Sequence, residues 1–196
     1  MSNSGTVKVK NGKYRLNGEF HSASPSVPIR NEDEGWRLMG VTNPRALTHI
    51  HMYGGEAVFF ENLSRGKIFG TRCDNSDCEF SGTVYLPFRI FCPDCLNRNT
   101  VVDLTKVCRD TATIHTFMIC ERSGAFNTLE KPIKFINVEF KGVATILMSY
   151  LGSGEPGIGE RVVPIFRTLD PTYTIVDLSW VPEGTPEEDL PEGFTY

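Results

Sequence analysis

The chain has 196 residues, of which 40% are hydrophobic and 11% aromatic, and it carries a formal net charge of −4. This composition is typical of a globular protein and excludes an intrinsically disordered chain. The longest apolar run, residues 143–148, is far too short to span a bilayer, and no signal peptide is visible. We therefore expect a cytoplasmic protein with no membrane contact, in which reduced cysteines favour metal binding over disulfides.

Charge is distributed unevenly along the sequence. Residues 183–196 contain five acidic residues and no Lys or Arg, so the rest of the chain is close to neutral. Between residues 65 and 110, seven Lys or Arg are interspersed with six Asp or Glu. Binding to a phosphate backbone needs clustered cations. The absence of a basic stripe therefore argues against a nucleic-acid partner.

Residues 1–52 are expected to form an extension without a core of its own. Alternating residues at 6–10 and 13–16 flank Asn11-Gly12, which predicts a β-hairpin. The Ser- and Pro-containing stretch that follows, with acids at 32–34, predicts a loop lying over another part of the structure. A lone hairpin is marginal in water, so this segment is expected to pack on the main body or on a partner.

A short helix is predicted over residues 56–65, ending at Gly66. Phe59, Phe60 and Leu63 lie on one face of this helix. Packing of that face on the same chain and docking on a partner are both open, and periodicity alone favours the first.

Strands and turns are predicted from residue 67 onward. The predicted strands are residues 67–72, 83–86, 101–107, 112–121, 133–140, 143–151, 161–167 and 172–180. About five of them follow residue 100, the number that a small Greek-key barrel of the OB type requires. The expected class is thus mainly β, with domains at 1–52 (extension), 53–66 (docking helix), 67–100 (zinc ribbon), 101–181 (OB barrel) and 182–196 (acidic tail). The tail is expected to be extended or disordered, with Phe194 and Tyr196 as possible anchors.

Four cysteines form the most specific pattern. Cys73 and Cys78 are separated by four residues, Cys92 and Cys95 by two, and thirteen residues lie between the pairs. This is the spacing of a zinc ribbon. Four thiolates complete the tetrahedral coordination of Zn²⁺ and leave no open position, so the predicted site is structural.

Neighbouring residues refine this prediction. The Cys-Pro-x-Cys turn directs backbone N–H groups at the sulfurs, and Arg72 and Arg89 can offset the negative charge of a tetrathiolate site. Iron in a rubredoxin-like site is the alternative, which would indicate an electron carrier. The longer first spacing argues against iron, as does Leu96 at a position where such turns usually have glycine.

Other candidate sites carry weaker signals. Cys108 and Cys120 lie on predicted strands and are expected to be packed thiols, although a Cys–His nucleophile with His115 is conceivable. Residues 152–157 match G-x-G-x-x-G, but Pro156 and the strand that follows argue against a dinucleotide site. His49 and His51 lack neighbours at ligand spacing and are expected to be loop or interface residues.

Four segments resemble a family of acyl-CoA-associated proteins that pair a rubredoxin-like zinc ribbon with an OB fold. Residues 59–73 resemble the helix that leads into the ribbon, and residues 86–95 its second knuckle. Residues 113–117 resemble the first barrel strand, and residues 157–162 the turn near the end of the barrel. The resemblance covers about residues 53–181. It departs from the family in the longer first knuckle and the longer N-terminal extension.

The resemblance implies a non-catalytic accessory subunit of a thiolase-superfamily enzyme that acts on CoA thioesters. Such subunits complete the catalytic partner and can line its CoA channel, and longer members include the small subunit of benzoylsuccinyl-CoA thiolase, an enzyme of aromatic degradation. It implies a hetero-oligomer with a structural zinc ion at Cys73, Cys78, Cys92 and Cys95. The docking surface would include Phe59, Phe60 and Leu63, and the catalytic residues would belong to the partner.

Two other functions remain open at this stage. One is a single-stranded nucleic-acid-binding protein, because ribbons and OB folds both serve that role and barrel aromatics can stack on bases. The other is a stand-alone acyl-CoA enzyme that uses Cys108 or Cys120 as a nucleophile.

Overall fold

The computed structural model describes residues 6–11, 13–17, 28–31, 33, 35, 37–41, 54–121, 126 and 128–196. The chain divides into two compact units, Met1–Met52 and Tyr53–Tyr196. The described residues are mainly β, with five small sheets and two short α-helices. No helix in these ranges has the length and apolar character needed to cross a membrane.

The first unit contains two antiparallel strand pairs. Strands β1 (Thr6–Lys10) and β2 (Lys13–Asn17) pair across a tight turn in which Asn11 has a φ of 51°, so the predicted hairpin is confirmed. The second pair, β3 (Pro28–Asn31) and β4 (Arg37–Val41), replaces part of the predicted loop. That loop prediction is wrong because the pairing with β4 supplies hydrogen bonds that composition does not reveal, and proline is tolerated at the first position of a strand.

The second unit begins with a 3₁₀ turn, Gly54–Glu56, and helix α1 (Ala57–Leu63). The helix ends at Leu63, two residues before the predicted end, and the predicted left-handed residue is confirmed at Gly66, whose φ is 71°. The Gly66 N–H donates to the Leu63 carbonyl at 3.0 Å and the Lys67 N–H to the Asn62 carbonyl at 3.0 Å. This pair of bonds requires a left-handed residue, and glycine adopts that conformation without a steric penalty.

A three-stranded sheet follows, in the order β6-β5-β7. It consists of β5 (Phe69–Arg72), β6 (Val84–Tyr85) and β7 (Thr100–Asp103). Helix α2 (Thr105–Thr111) comes next, so the predicted strand over 101–107 is wrong beyond Asp103, and Cys108 lies on a helix. The Asp103 carboxylate accepts hydrogen bonds from the Thr105 N–H at 2.9 Å and hydroxyl at 2.6 Å, which turns the chain into the helix.

Five strands close into the predicted OB barrel. Strands β8 (Thr113–Cys120), β9 (Ile133–Glu139) and β10 (Leu147–Tyr150) form an antiparallel meander, and β11 (Val162–Arg167) pairs with β12 (Leu178–Pro182). An antiparallel bridge between Thr113 and Arg161 and a parallel bridge between Leu151 and Trp180 join the two groups. The order around the barrel is therefore β8-β9-β10-β12-β11.

The C-terminal residues continue the sheet. Strand β13 (Phe194–Thr195) pairs with β11 at Phe166 and Arg167, and Phe194 is buried. Residues 152–157 form a loop between β10 and β11 with no helix behind it. The prediction that a strand rather than a helix follows these glycines is confirmed, because β11 begins at Val162.

Besides the cluster formed by the cysteines and Tyr85, two apolar clusters stabilise the described part of the second unit. The first joins barrel residues such as Phe166 and Trp180 to Leu63 of α1 and to Ile68 and Leu86 of the ribbon region. The second contains Ile165 and Phe194 with residues of β9, β10 and β12. Because neighbouring strand residues point to opposite faces, Phe166 and Ile165 bring the two clusters to opposite sides of β11. Helix, ribbon and barrel therefore share one core.

Candidate metal centre

The first pair of cysteines is positioned by the end of β5. The Cys73 N–H donates to the Thr83 carbonyl at 3.0 Å, and the Gly82 N–H donates to the Cys73 carbonyl at 2.6 Å. Within this hairpin the Cys78 N–H donates to the Asn75 carbonyl at 3.1 Å. Both thiols are thereby presented from a turn with a fixed backbone.

The second pair lies in a tighter turn between Phe91 and Arg98, which are joined by an antiparallel bridge. The Leu96 N–H donates to the Cys92 carbonyl at 3.1 Å, and the Cys92 N–H donates to the Asn97 carbonyl at 2.9 Å. Leu96 has a φ of 60° and is 73% exposed. A leucine therefore occupies the left-handed position at which glycine is usual, and its side chain extends into solvent.

The fold brings together all four cysteines selected from the sequence. The ligand atoms of Cys73, Cys78, Cys92 and Cys95 lie within 4.8 Å of one another. The Cys73–Cys95 Sγ distance is 3.8 Å and the Cys78–Cys92 Sγ distance is 4.0 Å. A tetrahedral ion with bonds of about 2.3 Å to sulfur requires separations of roughly 3.8 Å, so the cluster can hold a metal ion.

Burial and hydrogen bonding give the four thiols different acidities. Hydrogen bonds from the Asn75 side chain and the Asn97 backbone N–H lower the pKa of Cys95 to about 6. Backbone N–H groups of Cys95 and Asp94 also lower the pKa of Cys92. Burial raises the pKa of Cys78 to about 12. A divalent cation would offset the cost of holding several thiolates together, so the donor set fits a cation.

Two further residues at the centre were missed by the sequence reasoning. The Tyr85 hydroxyl lies 3.7 Å from Cys92 Sγ and 3.4 Å from an Asp94 carboxylate oxygen. Tyr85 is buried, which raises the pKa of its hydroxyl and keeps it a hydrogen-bond donor. No local sequence signal marked Tyr85, because its place beside the sulfurs depends on the pairing of β6 with β5, in which Tyr85 lies opposite Thr71. Such outer contacts orient metal ligands.

The flanking arginines are placed differently from the expectation. The Arg72 guanidinium binds the Asp74 carboxylate, with Nε 2.6 Å from Oδ1, and this contact lowers the pKa of Asp74. Arg89 is exposed, and its backbone carbonyl accepts a hydrogen bond from the Asn99 side chain at 3.1 Å. Arg72 therefore neutralises a neighbouring carboxylate first, and its effect on the sulfurs is indirect.

The apolar face of α1 packs mainly on its own chain. Phe59 is 2% exposed and Leu63 is fully buried, both in the core shared with the barrel. Phe60 is half-buried at the edge of that core and makes an edge-to-face contact with Phe59. In this unit, Phe59 and Leu63 are thus not at the surface. Of the three residues predicted to dock a partner, Phe60 is the one that reaches the surface.

Cys108 and His115 do not form the cysteine–histidine pair that the sequence suggested. Cys108 is fully buried on α2, and burial raises the pKa of its thiol. His115 Nδ1 instead lies 2.9 Å from a Glu139 carboxylate oxygen on the exposed side of the barrel. Within the described ranges, no second group of three or more His, Cys, Asp or Glu residues converges as the four cysteines do. His49 and His51 lie outside those ranges.

The fold and the site together define a four-cysteine ribbon followed by a five-stranded OB barrel. No protein-family model and no curated protein matches the chain. Several solved structures are similar to it, among them the following two. A protein of unknown function from the DUF35 family of Sulfolobus solfataricus is 22% identical, with a TM-score of 0.45, over 64% of this chain and 83% of that one. The Ltp2–ChsH2(DUF35) aldolase is 21% identical, with a TM-score of 0.48, over 65% and 93%. At these values neither comparison assigns a function.

Proposed function

We propose that this chain is a non-catalytic, zinc-binding subunit of a thiolase-superfamily complex that acts on acyl-CoA thioesters. The observation that carries the proposal is the convergence of four thiols into a closed cluster, with a buried tyrosine beside it. A tetrathiolate ion has no coordination position left for a substrate. The chain would therefore contribute structure, and the catalytic residues would belong to the partner.

Exposed apolar side chains on the barrel support the presence of a partner protein. Phe117, Met118 and Ile119 are consecutive residues of β8, and each is at least 41% exposed. Met148 on β10 is 56% exposed. It pairs with Asn137 of β9, which pairs on its other side with Thr116 of β8. Phe117 and Ile119 point to one side of β8 and Met118 to the other, so large apolar side chains are exposed on both sides of this strand, and exposed apolar surface is typical of interaction sites.

The identity of the metal separates the proposal from the iron alternative. We expect the purified protein to be colourless and to contain about one zinc ion per chain by elemental analysis, because four thiolates form a closed tetrahedral zinc site. Iron at equal stoichiometry, with the visible absorption of ferric thiolate, would indicate an electron carrier instead. Neither metal after purification without chelators would contradict the proposed zinc centre.

Native affinity purification tests the proposed partner. The tagged chain, recovered from its own cell and washed at high salt, should retain a near-stoichiometric thiolase-superfamily protein. Phe60→Ala should reduce this recovery if α1 contributes to docking. Leu169→Ala is the matched control, because Leu169 is 83% exposed and lies outside α1 and the barrel strands. The acyl group and the pathway follow from the identity of the recovered protein.

Two outcomes would contradict the subunit proposal. A chain that is recovered alone, and whose removal leaves thiolase activity intact, would not be a subunit of such a complex. Recovery with single-stranded nucleic acid, in a salt-sensitive manner, would favour the binding-protein alternative, although the net charge of −4 opposes it.

A further inference from the structure

A cavity of about 440 Å³ lies beside the C-terminal strand, on the side of the barrel that carries the second apolar cluster. Its wall contains Lys134 of β9, Tyr150 of β10, the glycine-rich loop at Gly152, Arg167 of β11 and Phe194 of β13. This volume lies in the range of sites that hold small molecules. None of the four cysteines lines it, so the cavity is separate from the metal centre.

Arg167 is the distinctive residue in this wall. Its guanidinium carbon lies 4.9 Å from the centre of the Phe194 ring, over the ring face. The side chain is half-buried, and its Nε is inaccessible to water and has no hydrogen-bond partner within the ranges that the structure describes. No carboxylate in the same ranges lies within ion-pair distance of it. Arg167 is therefore a fixed, partly desolvated cation whose charge no described carboxylate matches.

The other charged groups in the wall are either matched or exposed. Lys134 Nζ donates to the Glu155 carboxylate at 2.6 Å and to the Gly154 carbonyl at 2.7 Å. Glu130, Lys131 and Glu192 also line the cavity, and all three side chains are exposed to solvent. The Tyr150 hydroxyl donates to the Val176 carbonyl at 2.8 Å. Among the described residues, the Arg167 guanidinium is thus the charged group of the inner wall that has no ion-pair partner.

We propose that this cavity binds a small oxyanion, a carboxylate or a phosphate, with Arg167 as its charge partner. A guanidinium presents paired N–H donors whose geometry matches both groups. A partly desolvated cation without a counter-ion is unfavourable, and an anionic ligand removes that penalty. Stacking on Phe194 fixes the guanidinium before the ligand arrives, so little ordering is required on binding. This inference depends on neither the metal nor the partner protein.

Nuclear magnetic resonance titration of the full chain with sodium phosphate, and separately with sodium acetate, tests the proposal. Chloride holds the ionic strength constant. We expect saturable shifts of the amide signals of Gly152, Arg167 and Phe194 with at least one anion. The anion that binds with the lower dissociation constant shows whether the cavity prefers a phosphate or a carboxylate. Arg167→Gln should weaken binding by about tenfold or more, the loss expected for charge-assisted hydrogen bonds. Arg65→Gln, at an exposed position in the turn after α1, should bind as the unaltered chain does.

A second variant keeps the test decisive if Arg167→Gln does not fold. Glu192→Gln removes a negative charge from the cavity wall, so it should strengthen binding of either anion. The proposal is overturned if neither anion gives saturable shifts at these residues, or if Glu192→Gln weakens binding. Equal binding by a folded Arg167→Gln variant would overturn it as well.

Discussion

Cys108 illustrates how position decides the chemistry of a single thiol. It is fully buried on α2, and burial raises its pKa above the usual value for a thiol. The shift stabilises the folded state below the unfolded pKa, and this contribution is lost as the pH rises toward the folded pKa. A thiol that stays protonated near neutral pH is a poor nucleophile.

We therefore predict that iodoacetamide modifies Cys108 only at the rate at which the protein unfolds. Peptide mass spectrometry after timed labelling at pH 8, with and without denaturant, measures this rate. The Cys108→Ala variant controls for peptide assignment. Labelling of Cys108 in the native protein at the rate of a free thiol would contradict its burial. It would also support the alternative that the chain is a stand-alone enzyme with Cys108 as its nucleophile.

Asp177 is a buried carboxylate that organises the turn before β12. It accepts hydrogen bonds from the Thr172 N–H at 2.9 Å, the Thr172 hydroxyl at 2.7 Å and the Tyr173 N–H at 2.7 Å. Asp177→Ala removes the acceptor of the Thr172 and Tyr173 N–H groups and should lower the free energy of unfolding by about 2–4 kcal/mol. Chemical denaturation measures the change. Asp170→Ala, at a nearby exposed position, is the control, and equal stability of the two variants would contradict this role.

Strand β5 depends on close packing at Gly70. A Cβ atom at this position would lie 2.7 Å from the Tyr85 carbonyl oxygen and would also overlap the Leu104 side chain. Because a backbone oxygen cannot move aside, Gly70→Ala should destabilise the protein by about 2–3 kcal/mol. Gly157→Ala is the matched control, since the atoms nearest to the new Cβ belong to the end of the flexible Glu160 side chain. A melting temperature of Gly70→Ala below that of Gly157→Ala supports the close packing at Gly70. Equal melting temperatures of the two variants would contradict it.

The elements also show which features a sequence can predict. Both cysteine knuckles and the Gly66 helix end were predictable because each is encoded within a few residues. Helix α2 was missed because Val101, Val102 and Val107 suggest a strand, whereas the helix signal lay in the Asp103 turn and in the Lys106–Asp110 pair one turn apart. The Tyr85 contact and the Leu151–Trp180 bridge join distant residues, which no local pattern records.

At the scale of the whole molecule, the metal centre is coupled to the barrel. Ile68 and Leu86 of the ribbon region share one apolar cluster with Ile136 and Trp180 of the barrel. Loosening of the ribbon should therefore propagate into the barrel core, and the second unit should lose stability as one cooperative block.

We predict that Cys92→Ser abolishes metal binding and lowers the melting temperature by roughly 10 °C, the shift for a loss of about 3 kcal/mol. Chelator treatment of the unaltered chain should produce the same shift, measured by calorimetry alongside metal content. Cys120→Ser, outside the four-cysteine cluster, should keep its metal and most of its stability. An unchanged melt after complete metal removal would contradict a structural role.

The most direct test of the proposed subunit is native mass spectrometry of the endogenous assembly, released intact from its own cell. The account predicts a complex that contains this chain with one zinc ion and a thiolase-superfamily catalytic subunit. A metal-free chain, or a zinc-loaded chain whose assembly contains no such subunit, would contradict it.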